Sequence, residues 1–488
     1  MKKTFLLKKL SILLLCVLFL GCKKHKDEIF SEKTFSDSLT YYIKIVNDKS
    51  QSKDIKIKAL DKSILFINNL KNTQKNRDTL FNLMYKYYDL KEWDKFNKTS
   101  KKLLKKALES KDSLNLAKFF RYKANYFKRI QAYDSSFYFY LKSEKLYLKF
   151  NDQLNYATIL MNKGIVQYYV SDFLGAELSL SKAYYIFNES NEKDKLYGTL
   201  NQLGLVCNEL KEYDKSAEYH KKALQIVKKY NLKNEEHQDA VCYNNLGYLY
   251  IKQKEFFKAI SIFEIALKDR TIKEEDAISY AYLIDNLAFC RLQTDNYKEL
   301  PNLFYEALEI RKKLKTDTEI IGSYIHLSEY FQKKGDNKLA INFSNKAIIL
   351  AKESKIPVNL ILALKQASIV DQKNAIKYSE DYIRISDSLQ IAERNSKDRF
   401  ARISLETDEI IKEKNSIEQS SRDILNYFVG TLALIGLLFF MRTQRSKRRE
   451  AALKLAQQQA NEDIYKLIIS QQGKLNEGKI MEKSRIAK

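Results

Sequence analysis

Residues 243–267 read YNNLGYLYIKQKEFFKAISIFEIAL, and the spacing inside this stretch decides the fold. Gly247 is followed twelve residues later by Ala259, four further on by Phe263 and three beyond that by Ala266. Small residues at the first two positions would let one helix and its successor cross closely, and an aromatic ring would fill the space beside the crossing. The same spacing recurs as Gly164, Ala176, Leu180 and Ala183, and as Gly204, Ser216, His220 and Ala223. Downstream it gives Ala288, Leu300, Phe304 and Ala307, then Ser328, Ala340, Ser344 and Ala347; upstream it gives Ala124, Ser136, Tyr140 and Ser143. The leading residues are 40, 40, 43, 41 and 40 positions apart, by subtraction of their numbers. A period of this length marks an array of supersecondary units, each burying its neighbours' apolar stripes. A weaker unit around 80–102 and a degenerate one around 359–385 are expected to cap it, because terminal repeats must offer a polar outer face.

Composition agrees with long helices. Only 2 prolines and 12 glycines occur in 488 residues, too few for the turns and phosphate loops of an α/β protein of this size. The 33 tyrosines and 26 phenylalanines supply side chains for a packed core, which argues against disorder despite 30% charged residues. The formal charge of +25 is spread in pairs such as Lys101 with Lys102 and Lys333 with Lys334, without a nucleic-acid reading motif, so no nucleic-acid partner is expected.

This pattern resembles the tetratricopeptide repeat family, whose usual period is about 34 residues. The longer period here implies longer helices or loops. The resemblance implies an all-α fold: a helical-hairpin solenoid over 76–390, after an N-terminal helical region at 23–75, wound into a right-handed superhelix with a concave groove. Grooves of that kind bind a protein or peptide. Three residues before the anchor glycine or alanine, successive units place Asn201, Asn244 and Asp285; one residue after it they place Leu205, Tyr248 and Phe289. A polar ladder beside an apolar ladder suits an extended peptide.

Both ends of this region carry apolar segments. Residues 1–22, MKKTFLLKKLSILLLCVLFLGC, form an export signal with a basic start and an apolar run too short to be an ordinary span. Phe19, Leu20, Gly21 and Cys22 resemble a bacterial lipobox, which implies lipidation of Cys22. The second segment, ILNYFVGTLALIGLLFFM at 424–441, holds eleven Leu, Ile, Val or Phe residues, each favourable by roughly 0.3–0.6 kcal/mol at a helix centre. Its eighteen residues would span roughly 27 Å, and the basic cluster Arg442, Arg445, Lys447, Arg448 and Arg449 follows at once. A membrane-proximal linker at 391–423 and the solenoid are therefore expected outside, with 442–488 in the cytoplasm; in a bacterium this means a single pass through the inner membrane and a periplasmic solenoid.

Beyond the basic cluster, Leu453, Ala456, Ala460, Ile464, Leu467, Gln471 and Leu475 follow 3 and 4 spacings that sum to an eleven-residue repeat. That pattern predicts a long, nearly straight, coiled-coil-like helix able to form a homodimer, with Gln471, Gly473 and Gly478 weakening the seam. The phrases DRFARISLETDEI (398–410), NEDIYKLIISQQ (461–472) and EKSRIAK (482–488), in this order around the span, resemble bacterial tetratricopeptide sensor histidine kinases. In that family the last phrase opens a dimerisation helix and precedes a phosphoacceptor motif and an ATP-binding domain. The sequence reaches Lys488 without either, so the resemblance implies the input and membrane portion of a two-component kinase, with no catalytic residues and no cofactor. The alternative is a membrane-bound scaffold whose solenoid binds a partner.

The remaining chemistry-bearing residues read as structure. His220 stands where sister units have Phe263 and Phe304, so it is expected in the core. His237 and His326 have no acidic or cysteine partner at ligand spacing, and Cys207, Cys242 and Cys290 match no metal-ligand spacing, so no metal site is expected. No glycine-rich phosphate loop or nucleophile elbow occurs.

Overall fold

The computed structural model describes residues 25–232 and 237–486. The export signal and Cys22 lie outside the described residues. Within them the regular structure is α-helical and no strand occurs.

The helices pair in sequence. α1 (His25–Asn47) packs on α2 (Lys53–Asn68), α3 (Gln74–Asp89) on α4 (Trp93–Glu109), α5 (Ser113–Arg129) on α6 (Tyr133–Lys149), and α7 (Gln153–Tyr169) on α8 (Phe173–Asn188). Next come α9 (Lys193–Glu209) with α10 (Tyr213–Tyr230), and α11 (Gln238–Lys252) with α12 (Phe256–Ala266). After a short α13 (Ile272–Glu275) follow α14 (Ala277–Gln293) with α15 (Asn302–Leu314), and α16 (Asp317–Lys333) with α17 (Asn337–Ser354). α18 (Pro357–Val370) precedes the long α19 (Ala375–Ile486).

The period near 40 comes from helix length. α5, α6, α7 and α9 each have 17 residues, and three-residue turns separate α5 from α6, α6 from α7 and α7 from α8. Aspartate starts several helices: Asp112, Asp152 and Asp276 before the first helix of a pair and Asp336 before a second each accept from the backbone N–H three residues on, satisfying donors the helix cannot. The ends are set by residues in the left-handed region, at Lys91, Lys111, Gln131, Asn151, Ser171, Lys211, Lys254, Asp295 and Gly335 among others.

The crossings follow the spacing read from the sequence. Ser136 Oγ donates to the Ala124 carbonyl at 2.9 Å, Ser216 Oγ to Gly204 at 2.7 Å, and Ser328 Oγ to Ala340 at 2.8 Å, so the two small positions of each pair touch. A methyl group on Gly247 would run into the Phe263 ring and one on Gly204 into the His220 ring. Tyr87, Phe96, Phe187, Phe263 and Phe304 are fully buried along the array, each burial contributing about 1.5–3 kcal/mol.

The described residues through Leu405 and those from Glu406 onward form two compact units. The second is helical through Ile486. It includes an 18-residue window of mean hydropathy 2.1 with none of it buried, long and apolar enough to cross a membrane. Leu432, Leu434, Ile435, Leu437, Leu438, Phe439 and Phe440 are all exposed, as are Leu453, Ile464, Leu467 and Leu475.

Candidate functional site

The first helices of successive hairpins lie side by side: α9 on α11, α11 on α14, α14 on α16 and α16 on α18. Between the last four of these the wall is hollowed into a cavity of about 370 Å³, lined by Asn244, Asn245 and Tyr248 from α11 and Tyr282, Asp285 and Asn286 from α14. Arg311 reaches it from α15, Glu319, Gly322 and Ile325 line it from α16, and Asn359 and Leu362 from α18.

Asn286 Nδ2 donates to Asn244 Oδ1 at 2.9 Å, joining neighbouring hairpins by one amide bond. Each amide has further capacity, so the pair retains both donor and acceptor groups for a main-chain ligand. Tyr282 donates its hydroxyl to Glu319 at 2.6 Å, and burial pushes that hydroxyl's pKa up.

The floor is a charged cluster. Arg311 donates to Asp285 Oδ2 at 2.9 Å and to Ser323 Oγ at 2.6 Å, and His326 Nδ1 lies 3.0 Å from the same carboxylate oxygen. The Asp285 and Arg311 side chains are only 3% and 4% exposed. Burial alone would raise the Asp285 carboxyl, but His326 and Arg311 hold it down at about 2, so it is ionised at neutral pH. His326 is moved the other way: burial opposes its charge, yet Asp285 beside it raises its pKa. Asp285 Oδ1, Arg311 Nε and Asn359 Nδ2 are buried without a partner. These atoms have almost no exposed surface of their own, so a ligand in the hollow would first meet the Asn244–Asn286 amide pair and Tyr248.

Of the ladder residues, Asn244, Tyr248 and Asp285 come together around this hollow. Tyr248 is 36% exposed, whereas Asp285 is part of the floor. Phe289 is half-buried against His326, ring centroids 4.9 Å apart, and Leu205 is half-buried on α9. Asn201 lies within the core, 6% exposed, with its Oδ1 3.1 Å from His220 Nδ1 and its amide against Cys242. His220 is itself buried, as expected, and burial pulls its pKa down to about 4.

Two acidic partners escape a spacing search. His326 meets Asp285 and His237 meets Glu275 at 2.9 Å, 41 and 38 residues away, about one repeat, a separation absent from short ligand motifs. Arg311, Asn286 and Asn359 were equally invisible, since only the stacking of hairpins brings them to the same hollow. Elsewhere, ligand atoms of Glu177, Cys207 and Glu212 lie within 4.8 Å of one another. Lys215 already pairs with Glu212 at 2.9 Å, and burial pushes the Cys207 thiol up to about 12, so this group is stable as a protonated thiol beside an ion pair. Cys242 and Cys290 are likewise buried, and burial raises both thiols to about 12.

Hairpins of this spacing, stacked first helix on first helix, define a tetratricopeptide-type solenoid. A tetratricopeptide repeat family model matches residues 196–271, the stretch from α9 through α12. Among solved structures, the chain is similar to apo RapI, at 17% identity over 74% of this chain and 99% of that one, TM-score 0.55. It is similar to a Rap protein in complex with Competence and Sporulation Factor, at 12% identity over 74% and 99%, TM-score 0.52. The apo quorum sensor NprR from B. thuringiensis aligns at 16% identity over 70% and 94%, TM-score 0.50. At these identities the likeness is one of fold. Comparison with curated protein sequences finds no match.

Proposed function

We propose that the chain is the input portion of a membrane-bound signalling protein, in which the solenoid outside the membrane captures an extended peptide or protein segment in the groove at α11–α18. The observation that carries this reading is the hollow itself: a wall of Asn244, Asn286 and Tyr248 over the buried Asp285–Arg311 pair. Amide side chains recognise a main chain without regard to its sequence, and an aromatic beside them supplies apolar contact. The solved complex of a Rap protein with Competence and Sporulation Factor supports the choice of a binding role for this fold. In this reading the chain binds and transmits; catalysis would belong to a kinase module such as the sequence resemblance implies.

The apolar helix supports membrane attachment. A run of exposed Leu, Ile and Phe followed by Arg442, Arg445, Lys447, Arg448 and Arg449 is stable when covered by lipid with its basic end in the cytoplasm. Lipidation at Cys22 and pairing of two chains through 453–475 complete the proposed arrangement.

The test is ligand capture by the full chain in nanodiscs, using a random peptide library as the probe. Tyr248→Ala combined with Asn286→Ala should weaken retention of selected peptides by about tenfold or more, a loss of ~1.4 kcal/mol, as for a contact at the centre of an interface. Leu174→Ala, an exposed position on α8, is the control. Equal retention by both variants would remove the groove from the account.

A further inference from the structure

From Ala375 to Leu405, α19 belongs to the same compact unit as the solenoid, and one of its faces is covered. Tyr378, Tyr382 and Ile385 pack on the core formed by α16, α17 and α18. Further along, Leu389, Glu393 and Ser396 are half-buried, Phe400 is 3% exposed and Ile403 is half-buried, whereas Ile383, Ile391, Arg394 and Lys397 between them are exposed. Positions 382, 385, 389, 393, 396, 400 and 403 follow the three- and four-residue spacing of one helix face.

The far end of this face is seated on hairpins distant in sequence. Phe400 stacks on Phe137 of α6, with ring centroids 4.1 Å apart and planes inclined by 5°. Arg399 Nε pairs with Asp134 at 3.1 Å, and Ser171 Oγ donates to Glu393 at 2.9 Å. Ile403 packs against the cluster that contains Phe137 and Val170. α19 thus leaves the last hairpin and returns to the edge where α5 turns into α6 and α7 into α8.

We infer that residues 382–403 are a strap whose far end, Phe400 on Phe137, is a releasable latch that reads the pitch of the solenoid. One end of the strap is fixed by the chain itself at the α18–α19 connection. The segment from Tyr382 to Ile403 is about 32 Å of α-helix, which neither stretches nor shortens while its hydrogen bonds hold. The helices it spans, α9 to α15, form part of a solenoid whose curvature accumulates small rotations at each interface. A change in that curvature moves α6 relative to the last hairpin, and the strap cannot absorb it. The mismatch falls on the latch, which is the weaker joint: one ring, one aliphatic side chain and polar contacts, with Arg399 and Asp134 48% and 41% exposed. Such an exposed pair contributes little, so the ring stack holds the joint. The groove hollow joins spanned helices α11, α14 and α15 to the anchored α16 and α18, so its occupant would act on the latch; that step rests on the groove reading, and the latch itself does not.

The experiment is limited proteolysis of the full chain in detergent, with cleavage sites assigned by mass spectrometry. Arg394, Lys397, Arg399 and Arg402 are exposed trypsin sites on the strap. Phe400→Ala should accelerate cleavage at 394, 397 and 402 by roughly tenfold or more, since cleavage follows the population of the open form when opening is fast. Sites within the solenoid and its melting temperature should not change. Asp134→Arg and Arg399→Asp should each loosen the strap, and the double variant should restore the original cleavage rate. Unchanged cleavage in Phe400→Ala, or acceleration that extends into α5–α8, would overturn the inference. A groove variant that abolishes peptide retention leaves these outcomes as they are, so failure of the latch and failure of the groove are separate results.

Discussion

His220 occupies the place of Phe263 and Phe304 in the sister hairpins, and its substitution shows how much a single residue reveals of its surroundings. The aromatic spacing alone placed it in the core, and the structure puts it against Gly204, 1% exposed. Its bond to Asn201 was not legible, because it joins two positions that the spacing had assigned to different roles. Burial lowers its folded pKa to about 4, below the ordinary value of 6.5. The unfolded chain therefore takes up a proton that the folded chain refuses as pH falls from 6.5 towards 4, and stability is lost across that window. His220→Phe should lose less stability between pH 7 and pH 4.5 than the natural chain, by as much as ~2.5 kcal/mol. Urea titrations at the two pH values measure the difference, and His326, present in both chains, cancels. Equal losses would mean that His220 is protonated in place.

Elements were legible where periodicity carries them and illegible where a turn is made by an unusual residue. The 3.6-residue stripes and the small-residue crossings located the hairpins, and the longer period proved to be helix rather than loop. The turns escaped because their left-handed positions hold lysine, glutamine, asparagine and serine; Gly335 at the α16–α17 turn is the glycine one looks for. A side chain at positive φ costs about 1–2 kcal/mol, and glycine avoids that at the expense of a freer unfolded chain. Lys254→Gly, at φ 62° in the α11–α12 turn, should accordingly raise stability by ~0.5–1 kcal/mol, whereas Lys254→Val should lower it. Thermal melting followed by circular dichroism separates the two. The strap was out of reach of any periodicity argument: DRFARISLETDEI is an ordinary amphipathic phrase, and only the fold sets its Phe400 on Phe137.

At the scale of the whole molecule, the solenoid and the segment after Leu405 are two units with different surroundings to satisfy. The first buries its apolar residues in its own hairpins; the second exposes Leu432, Ile435, Phe439 and Phe440 with nothing from its own unit over them. The account requires lipid there, with the groove on one side and the basic cluster on the other. A pair of reporter fusions tests this most directly, one joined after Asp408 and one after Glu450, each read in a bacterial host with a reporter active only outside the cytoplasm and a second active only inside it. The account predicts an exported reporter at Asp408 and a cytoplasmic one at Glu450; the reverse pattern, or the same compartment at both positions, would contradict it.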